Sequence, residues 1–191
     1  MIEADVVIDR VDGPQLLFCV EELTDLLIGT VDGGASVGFL APLDRATALA
    51  WWRGRAAAVD AGELAVWVAR DGKRLVGTVS LAFPDKPNSR HRAELVKLMV
   101  HHEGRGQGLG RRLLATVEHA AAEAGVTLLH LDTETDSPAE FLYNKAGWTR
   151  IGKIPDYAAD PGGTLRPTSI YYKHVRAGAG AGASAEAAPT G

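Results

Sequence analysis

The sequence predicts an α/β fold, a mixed sheet of about seven strands with flanking helices, on three observations. Apolar runs of strand length alternate with segments whose apolar residues recur at helical spacing. Asp71 and Gly72 separate two such runs, and this pair readily takes the positive φ angles of a tight hairpin turn. Between residues 93 and 132 a strand, a glycine loop, a helix and a second strand follow in order, which implies a parallel pair joined by a right-handed crossover.

Each element has a local cause. Alternation in IEADVVI, residues 2–8, suggests the first strand. Asp12 and Gln15 form a capping pair ahead of Leu16, Val20, Leu23 and Leu27, which predicts a helix ending near Gly29. The glycine-rich loop VDGGASVGF leads to Pro42 and a second helical pattern that stops at Gly62. ELAVWVA and KRLVGTVSLAF flank the Asp71–Gly72 turn as antiparallel neighbours. After PDKPNSRH comes the strand AELVKLMV, and Leu109, Leu113, Val117, Ala120 and Ala124 then mark the apolar face of a helix closed by Gly125. TLLHLD is a fifth strand. Ser137, Pro138 and Glu140 read as cap, first turn and capping-box partner of a short helix through Ala146, ended by Gly147. WTRIGKI and TSIYYKHV, the closing strands, bracket a turn-rich PDYAADPGG.

Composition narrows the function. With 191 residues, 46% of them apolar, the chain holds one sizeable core, and residues 1–176 are expected to form one domain. The net charge of −4 and the scattered basic residues argue against a nucleic-acid or anionic-membrane partner and favour a small molecule. No apolar run approaches the roughly 18 residues of a membrane span, and MIEADVVIDR lacks the regions of a secretory signal, so the expected location is the cytoplasm. The single Cys19 excludes an internal disulfide and falls on the apolar stripe of the first helix, where it reads as core. Residues 177–191, AGAGAGASAEAAPTG, offer almost no apolar surface and are expected to be a disordered tail. Oligomeric state is not encoded legibly.

The most informative stretch is LMVHHEGRGQGLGRRLL, Leu98 to Leu114. Glycines ahead of a helix let backbone N–H groups converge on an anion, and the helix dipole adds its positive end there. A dinucleotide fingerprint fails, because Arg111 stands at the third glycine position counted from Gly106 and Gly108. A P-loop fails too, because Gly110 is followed by Arg111 and Arg112. What remains, Arg105 with Gly108 and Gly110, resembles the pyrophosphate loop of the GNAT superfamily of N-acetyltransferases. The resemblance extends through KLMV, the helix LGRRLLATVEHA, the strand LLHLDTE and FLYNKAGW. VDGGASVGFL, KPNSRHRAELVKLMV, LLHLDTE and RPTSIYYK further resemble the tabtoxin-resistance branch, whose members acetylate a β-lactam toxin of plant-pathogenic pseudomonads.

This resemblance implies a splayed GNAT-like sheet with acetyl-CoA as co-substrate. Arg105, Gly106, Gln107, Gly108, Leu109, Gly110 and Arg111 would cradle the pyrophosphate, and the main-chain N–H groups of Met99 and Val100 would face the thioester carbonyl. Asp136 and Ser137 stand where an Asn commonly touches the pantetheine arm, and that contact stays unassigned. An amine attacks a thioester only as the neutral base, although an alkylammonium has a pKa near ~10, so one group must take its proton and another must protonate the thiolate. Glu94 and Asp132, on adjacent parallel strands, are the candidate proton acceptors; the bland alternative is a solvated charge paired with Arg92 or Lys97. Tyr143 matches the superfamily tyrosine that donates to sulfur, or else is a packed aromatic.

Asp32 and Ser36 are candidates for acceptor contact, in a loop that otherwise only connects two helices. Trp51 and Trp52 occupy neighbouring helical positions, so at least one is expected in the core. His101 and His102 are expected to diverge on an extended segment, which with no third ligand at a recognisable spacing gives no metal site. The leading function is transfer of acetyl from acetyl-CoA to a small amine, amino-acid-like in the toxin reading. The competing class is a non-catalytic acyl-CoA sensor, which needs the glycine loop but no base or acid.

Overall fold

The computed structural model describes residues 6–176. The tail expected at 177–191 and the start of IEADVVI lie outside the described residues. Seven strands, β1 (Val7–Val11), β2 (Leu64–Asp71), β3 (Arg74–Ala82), β4 (Arg92–Val100), β5 (Leu128–Glu134), β6 (Thr149–Ala159) and β7 (Leu165–His174), form one sheet. Six helices accompany them: α1 (Gly13–Phe18), α2 (Val20–Asp32), α3 (Arg45–Arg53), α4 (Ala56–Asp60), α5 (Leu109–Glu123) and α6 (Pro138–Lys145). The strand order is β1-β2-β3-β4-β5-β7-β6, and β4 and β5, joined through α5, are its parallel pair.

The sheet separates two cores. On one face Leu113, Leu114 and Val117 of α5 and Tyr143 of α6 pack on Leu81, Leu95, Leu129 and Leu131. On the other, Leu16, Leu23 and Leu27 of α1 and α2 and Trp52 of α3 pack on Val66, Val68 and Met99. β2 and β3 are covered on both faces, which is why their sequences read as nearly unbroken apolar runs.

Local departures from the sequence pattern have physical causes. The predicted first helix is two helices, broken at Cys19 (φ −102°, ψ 14°), and the second runs past Gly29 to Asp32. The break costs about one backbone hydrogen bond, ~1 kcal/mol. Buried Leu16, Leu23 and Leu27 offset it, at about 1.5–3 kcal/mol for each buried leucine. Cys19 itself is buried, as expected. The Asp12–Gln15 capping box is complete, with Gln15 N–H donating to Asp12 and the Asp12 N–H donating back to Gln15. The second helical pattern is split into α3 and α4 around Gly54. PDYAADPGG is mostly strand: Pro155 and Asp156 (φ 49°) are absorbed as an irregularity between Ile154 and Ala158, and the reversal lies at Asp160–Thr164. Pairing with β7 satisfies backbone groups that a turn would leave to solvent, which overrides the turn-like composition.

Candidate active site

β4 and β5 pair over only three positions, Arg92 with Leu128, Ala93 with Leu129 and Glu94 with His130. Beyond them β5 follows β7 as far as Glu134, while β4 follows β3, and a fork opens between the parallel strands. A bulge on β4 accompanies the opening. Ser80 stands opposite Val96 and Thr78 opposite Met99, so β4 carries one residue more than β3, and Lys97 absorbs it at φ 54°. The extra residue changes which side chains share a face. Leu95 and Leu98 both pack toward α5, whereas Val96 and Met99 pack toward α2.

The bulge also assigns the backbone donors. His101 N–H donates to the Val76 carbonyl at 2.9 Å. Alternation along the antiparallel ladder then gives the Met99 N–H to Thr78 and turns the Val100 N–H toward the fork. Of the two amides expected to face a ligand, Val100 is the one left open by the register.

The glycine loop closes one end of the fork. Gly106 and Gly108 have φ of +76° and +81°, and Gly108 is the N-cap of α5 without any side-chain cap. The first N–H groups of α5, at Leu109, Gly110 and Arg111, are therefore presented by backbone alone. Leu109 is buried and anchors the turn, while a Cβ on Gly110 would lie 3.2 Å from Leu142, so glycine lets α5 approach α6 closely. Arg105 donates through Nε to the Val100 carbonyl at 3.3 Å and Gln107 to the Glu103 carbonyl at 2.7 Å, holding the loop on β4. Arg111 and Lys145 line a groove of about 360 Å³ between α5 and α6.

Glu94, half-buried, and Asp132, exposed, lie on the sheet face opposite Leu129 and Leu131, toward the side of α2 and α3. Neither forms a salt bridge among the described residues, so the alternative of a charge paired with Arg92 or Lys97 is not what the structure shows. Arg92 instead donates to His130 Nε2 at 3.1 Å. Burial holds the His130 imidazole below its ordinary pKa, with Glu94 opposing and Arg92 reinforcing the shift. The ring is thus favoured neutral between the two carboxylates.

Lys97 was legible in the sequence only as a charge neighbour of Glu94, and Arg55 and Phe39 not at all as site residues. The Lys97 ammonium donates to the Val37 carbonyl at 2.8 Å and sits 5.3 Å from the Trp51 ring centroid and 5.8 Å from that of Phe39. The Arg55 guanidinium is 5.2 Å from the same Trp51 ring. Trp52 is the core member of the tryptophan pair and Trp51 the half-buried one. Ser36 precedes Val37 and so stands beside this group. Asp32 ends α2 next to Gly33, where the Arg105 guanidinium passes, which puts it beside the glycine loop.

Tyr143 is 5% exposed, its ring 5.8 Å from Trp148 and 6.4 Å from Tyr171. Burial first, then the Asp132 charge, raise its phenol pKa, so it keeps its proton throughout the neutral range. Ser137 caps α6 as expected, but Glu140 accepts from the Asp136 N–H at 2.6 Å rather than from the cap residue, and also from the Tyr171 hydroxyl at 2.8 Å. The histidine expectation needs a correction. His102–Gly104 form a 3-10 turn, so the His101 and His102 rings lie 4.2 Å apart instead of diverging, and Glu103 joins them. Arg74 donates to Glu103 at 2.5 Å and contacts the His101 ring at 3.1 Å, which places a guanidinium where a cation would have to bind.

A forked parallel pair, an uncapped glycine helix start and an acid-lined far side define the class, and comparison identifies it. Residues 20–148 match the profile of the acetyltransferase (GNAT) family, and the chain belongs to that family. N-acetyltransferase 8F1 of Rattus norvegicus is 36% identical over 89 residues, 46% of this chain and 40% of that protein. The match thus spans about two fifths of that relative. Among solved structures, ribosomal-protein-alanine N-acetyltransferase from Brucella melitensis has a TM-score of 0.72 at 22% identity, covering 88% of this chain and 99% of its own. The Salmonella typhimurium protein yncA, solved with its cofactor acetyl-CoA, has a TM-score of 0.71 at 20% identity, covering 92% and 96%. These structures share the fold. No helix among the described residues is long and apolar enough to cross a membrane.

Proposed function

We propose that the protein is an acetyl-CoA-dependent N-acetyltransferase acting on a small amine in the cytoplasm, residues 1–176 being its catalytic domain. The carrying observation is the fork beyond Glu94 and His130, with an uncapped glycine helix start at one end and two unpaired carboxylates on the other side. Arg105, Gly106, Gln107, Gly108, Leu109, Gly110 and Arg111 suit a pyrophosphate, through N–H groups and the dipole of α5 rather than through side-chain charge alone. Arg111 and Lys145 suit the anionic nucleotide end. When bound, acetyl-CoA supplies a thioester acyl group.

The remaining chemistry belongs to the chain. Val100 N–H, free of the β3 ladder, stabilises negative charge on the acyl oxygen, and Met99 fixes that strand in register. Glu94 and Asp132 accept the amine proton, directly or through water, across a neutral His130. Tyr143, kept protonated by its burial, supplies the proton to the departing thiolate. Ser36 borders the entry for the acceptor, with Asp32 at its glycine-loop end, and a small amino-acid-like amine, with the β-lactam toxin of the tabtoxin-resistance reading as first candidate, fits this compact charged side.

The test is thiol release from acetyl-CoA with a panel of free amino acids, the toxin amino acid, polyamines and short peptides. Turnover well above hydrolysis with a small amine is expected. Binding of acetyl-CoA without turnover of any amine would identify an acyl-CoA sensor instead.

A further inference from the structure

The acceptor side holds two cations as well as two carboxylates, and the cations have no use in proton transfer. Arg55 and Lys97 both lie against Trp51, at 5.2 and 5.3 Å from its ring centroid, and near enough to each other for Arg55 to act on the Lys97 charge. Neither makes a salt bridge among the described residues. The Arg55 Nε is buried with no hydrogen-bond partner, as are Trp52 Nε1 and Ser80 Oγ in the core, so it is the terminal guanidinium nitrogens of Arg55 that a ligand would meet. Lys97 has one acceptor, the Val37 carbonyl, for three N–H groups. The elements converge for this purpose: the bulge on β4 swings Lys97 toward the 33–42 loop, and the Ala41 N–H bonds the Pro161 carbonyl at 2.8 Å, tying that loop to the β6–β7 reversal.

We propose that Arg55 and Lys97 form the subsite for a carboxylate on the acceptor, which is therefore an amino-acid-like zwitterion whose amine faces Glu94 and Asp132. The inference deepens, and rests on, the acetyl-transfer reading. Charge complementarity carries it. A zwitterion pairs both ends of itself with opposite charge, whereas a polyamine sets its second cation against Arg55 and Lys97, and a simple amine leaves both cations without a counter-charge. The electrostatics of Lys97 agree: burial lowers its proton affinity first, Asp132 and Glu94 counter this, and Arg55 adds to it, so an incoming carboxylate would favour the charged form. The planar fork of Arg55 supplies paired donors, and the ammonium of Lys97 a point charge, on the two oxygens of one carboxylate.

The experiment compares specificity constants for matched pairs that differ only by the carboxylate: alanine with ethylamine, phenylalanine with phenethylamine, lysine with cadaverine, and the toxin amino acid with its amide. The wild type is expected to prefer the carboxylate-bearing member by about 10- to 100-fold, the range for charge-assisted pairs. Lys97→Met and Arg55→Met should each cut that preference about tenfold or more, by raising KM for the amino acid far more than for the amine, while Arg55→Lys keeps part of it. Acetyl-CoA affinity by calorimetry should stay within about twofold in all three, with melting curves confirming folded protein. Preference for the decarboxylated amines, or preference that survives both Met variants, overturns the subsite. So does a loss of acetyl-CoA affinity matching the loss of acceptor affinity, which would place the cations at the cofactor. If acetyl-CoA binds but no amine turns over, acetyl transfer itself fails, and the subsite is judged by binding of the same pairs: equal affinity within each pair overturns it.

Discussion

At the glycine-loop end of the fork, the candidate ligand-binding groups are seven consecutive residues, 105–111, and most of what they offer is backbone. At the acceptor end, Glu94, Lys97, Asp132, Trp51 and Arg55 come from β4, β5, α3 and the segment that follows it. The first end is a local structure that a short motif can encode. The second is an assembly whose members are up to 81 residues apart in sequence, from Trp51 to Asp132, and it exists only once the sheet has formed. Backbone sites tolerate side-chain change but not a change of backbone conformation; assembled side-chain sites behave in the opposite way.

The largest effect should therefore come from a glycine. Nothing lies within 4 Å of a Cβ on Gly108, so Gly108→Val meets no clash; it is opposed by φ of +81°, which a β-branched residue hardly adopts. Calorimetry should detect no acetyl-CoA binding to the folded variant, and near-normal affinity would break the contrast by moving the cofactor elsewhere. Glu94→Gln is next. It should lower kcat by about one to three powers of ten with acetyl-CoA affinity unchanged, and Asp132→Asn should follow it in the same direction, since each removes a proton acceptor and keeps the shape. Wild-type turnover in both would leave these residues as structural charges. Tyr143→Phe should cost about ten- to a hundredfold in kcat, read in single-turnover thiol release, with cofactor affinity again unmoved.

Two smaller effects sharpen the difference through stability. Lys97 faces Arg55, Glu94 and Asp132, and its folded-state pKa is below the unfolded value because burial outweighs the two carboxylates. The resulting penalty is fully present below the folded pKa and is relieved as pH rises through it toward the unfolded value. Lys97→Met should therefore melt slightly higher than the wild type at neutral pH, and the two should converge on the alkaline side. A lower melting temperature at neutral pH would mean that the ammonium stabilises the fold on its own. Asp44 caps α3, accepting from the Thr47 N–H at 3.0 Å, and those bonds from Thr47 hold its carboxyl below the usual range. Asp44→Ala should lower the melting temperature by about 2–4 °C and raise the acceptor KM modestly, because α3 carries Trp51, while acetyl-CoA affinity stays constant. A change in cofactor affinity would show the two ends to be coupled.

Legibility followed the same division. Periodicity and caps located β2 to β7 and the α5 and α6 starts, because each depends on residues within a few positions of one another, whereas the first strand expected at residues 2–8 meets β1 only at Val7 and Ile8. The helix breaks at Cys19 and Gly54 were not legible, since each is tolerated only by the packing of its neighbours. The extra strand length in β6 was concealed by Pro155, Asp156 and Asp160, whose turn chemistry loses to pairing with β7.

The sequence alone determined the strand-loop-helix order around residues 93–132 and the glycine positions that present backbone N–H groups, while Glu94, Asp132 and Tyr143 became candidate proton carriers through the family resemblance. These are consequences of local sterics, side-chain chemistry and motif spacing. Only the tertiary structure decided that a β4 bulge at Lys97 accompanies the fork, that Val100 rather than Met99 is turned away from the β3 ladder, that the His101 and His102 rings lie close together, and that Arg55 and Lys97 share Trp51. Each of those depends on which strand lies beside which and in what register, and a register is set by the sum of many weak contacts across the sheet rather than by any short run of residues.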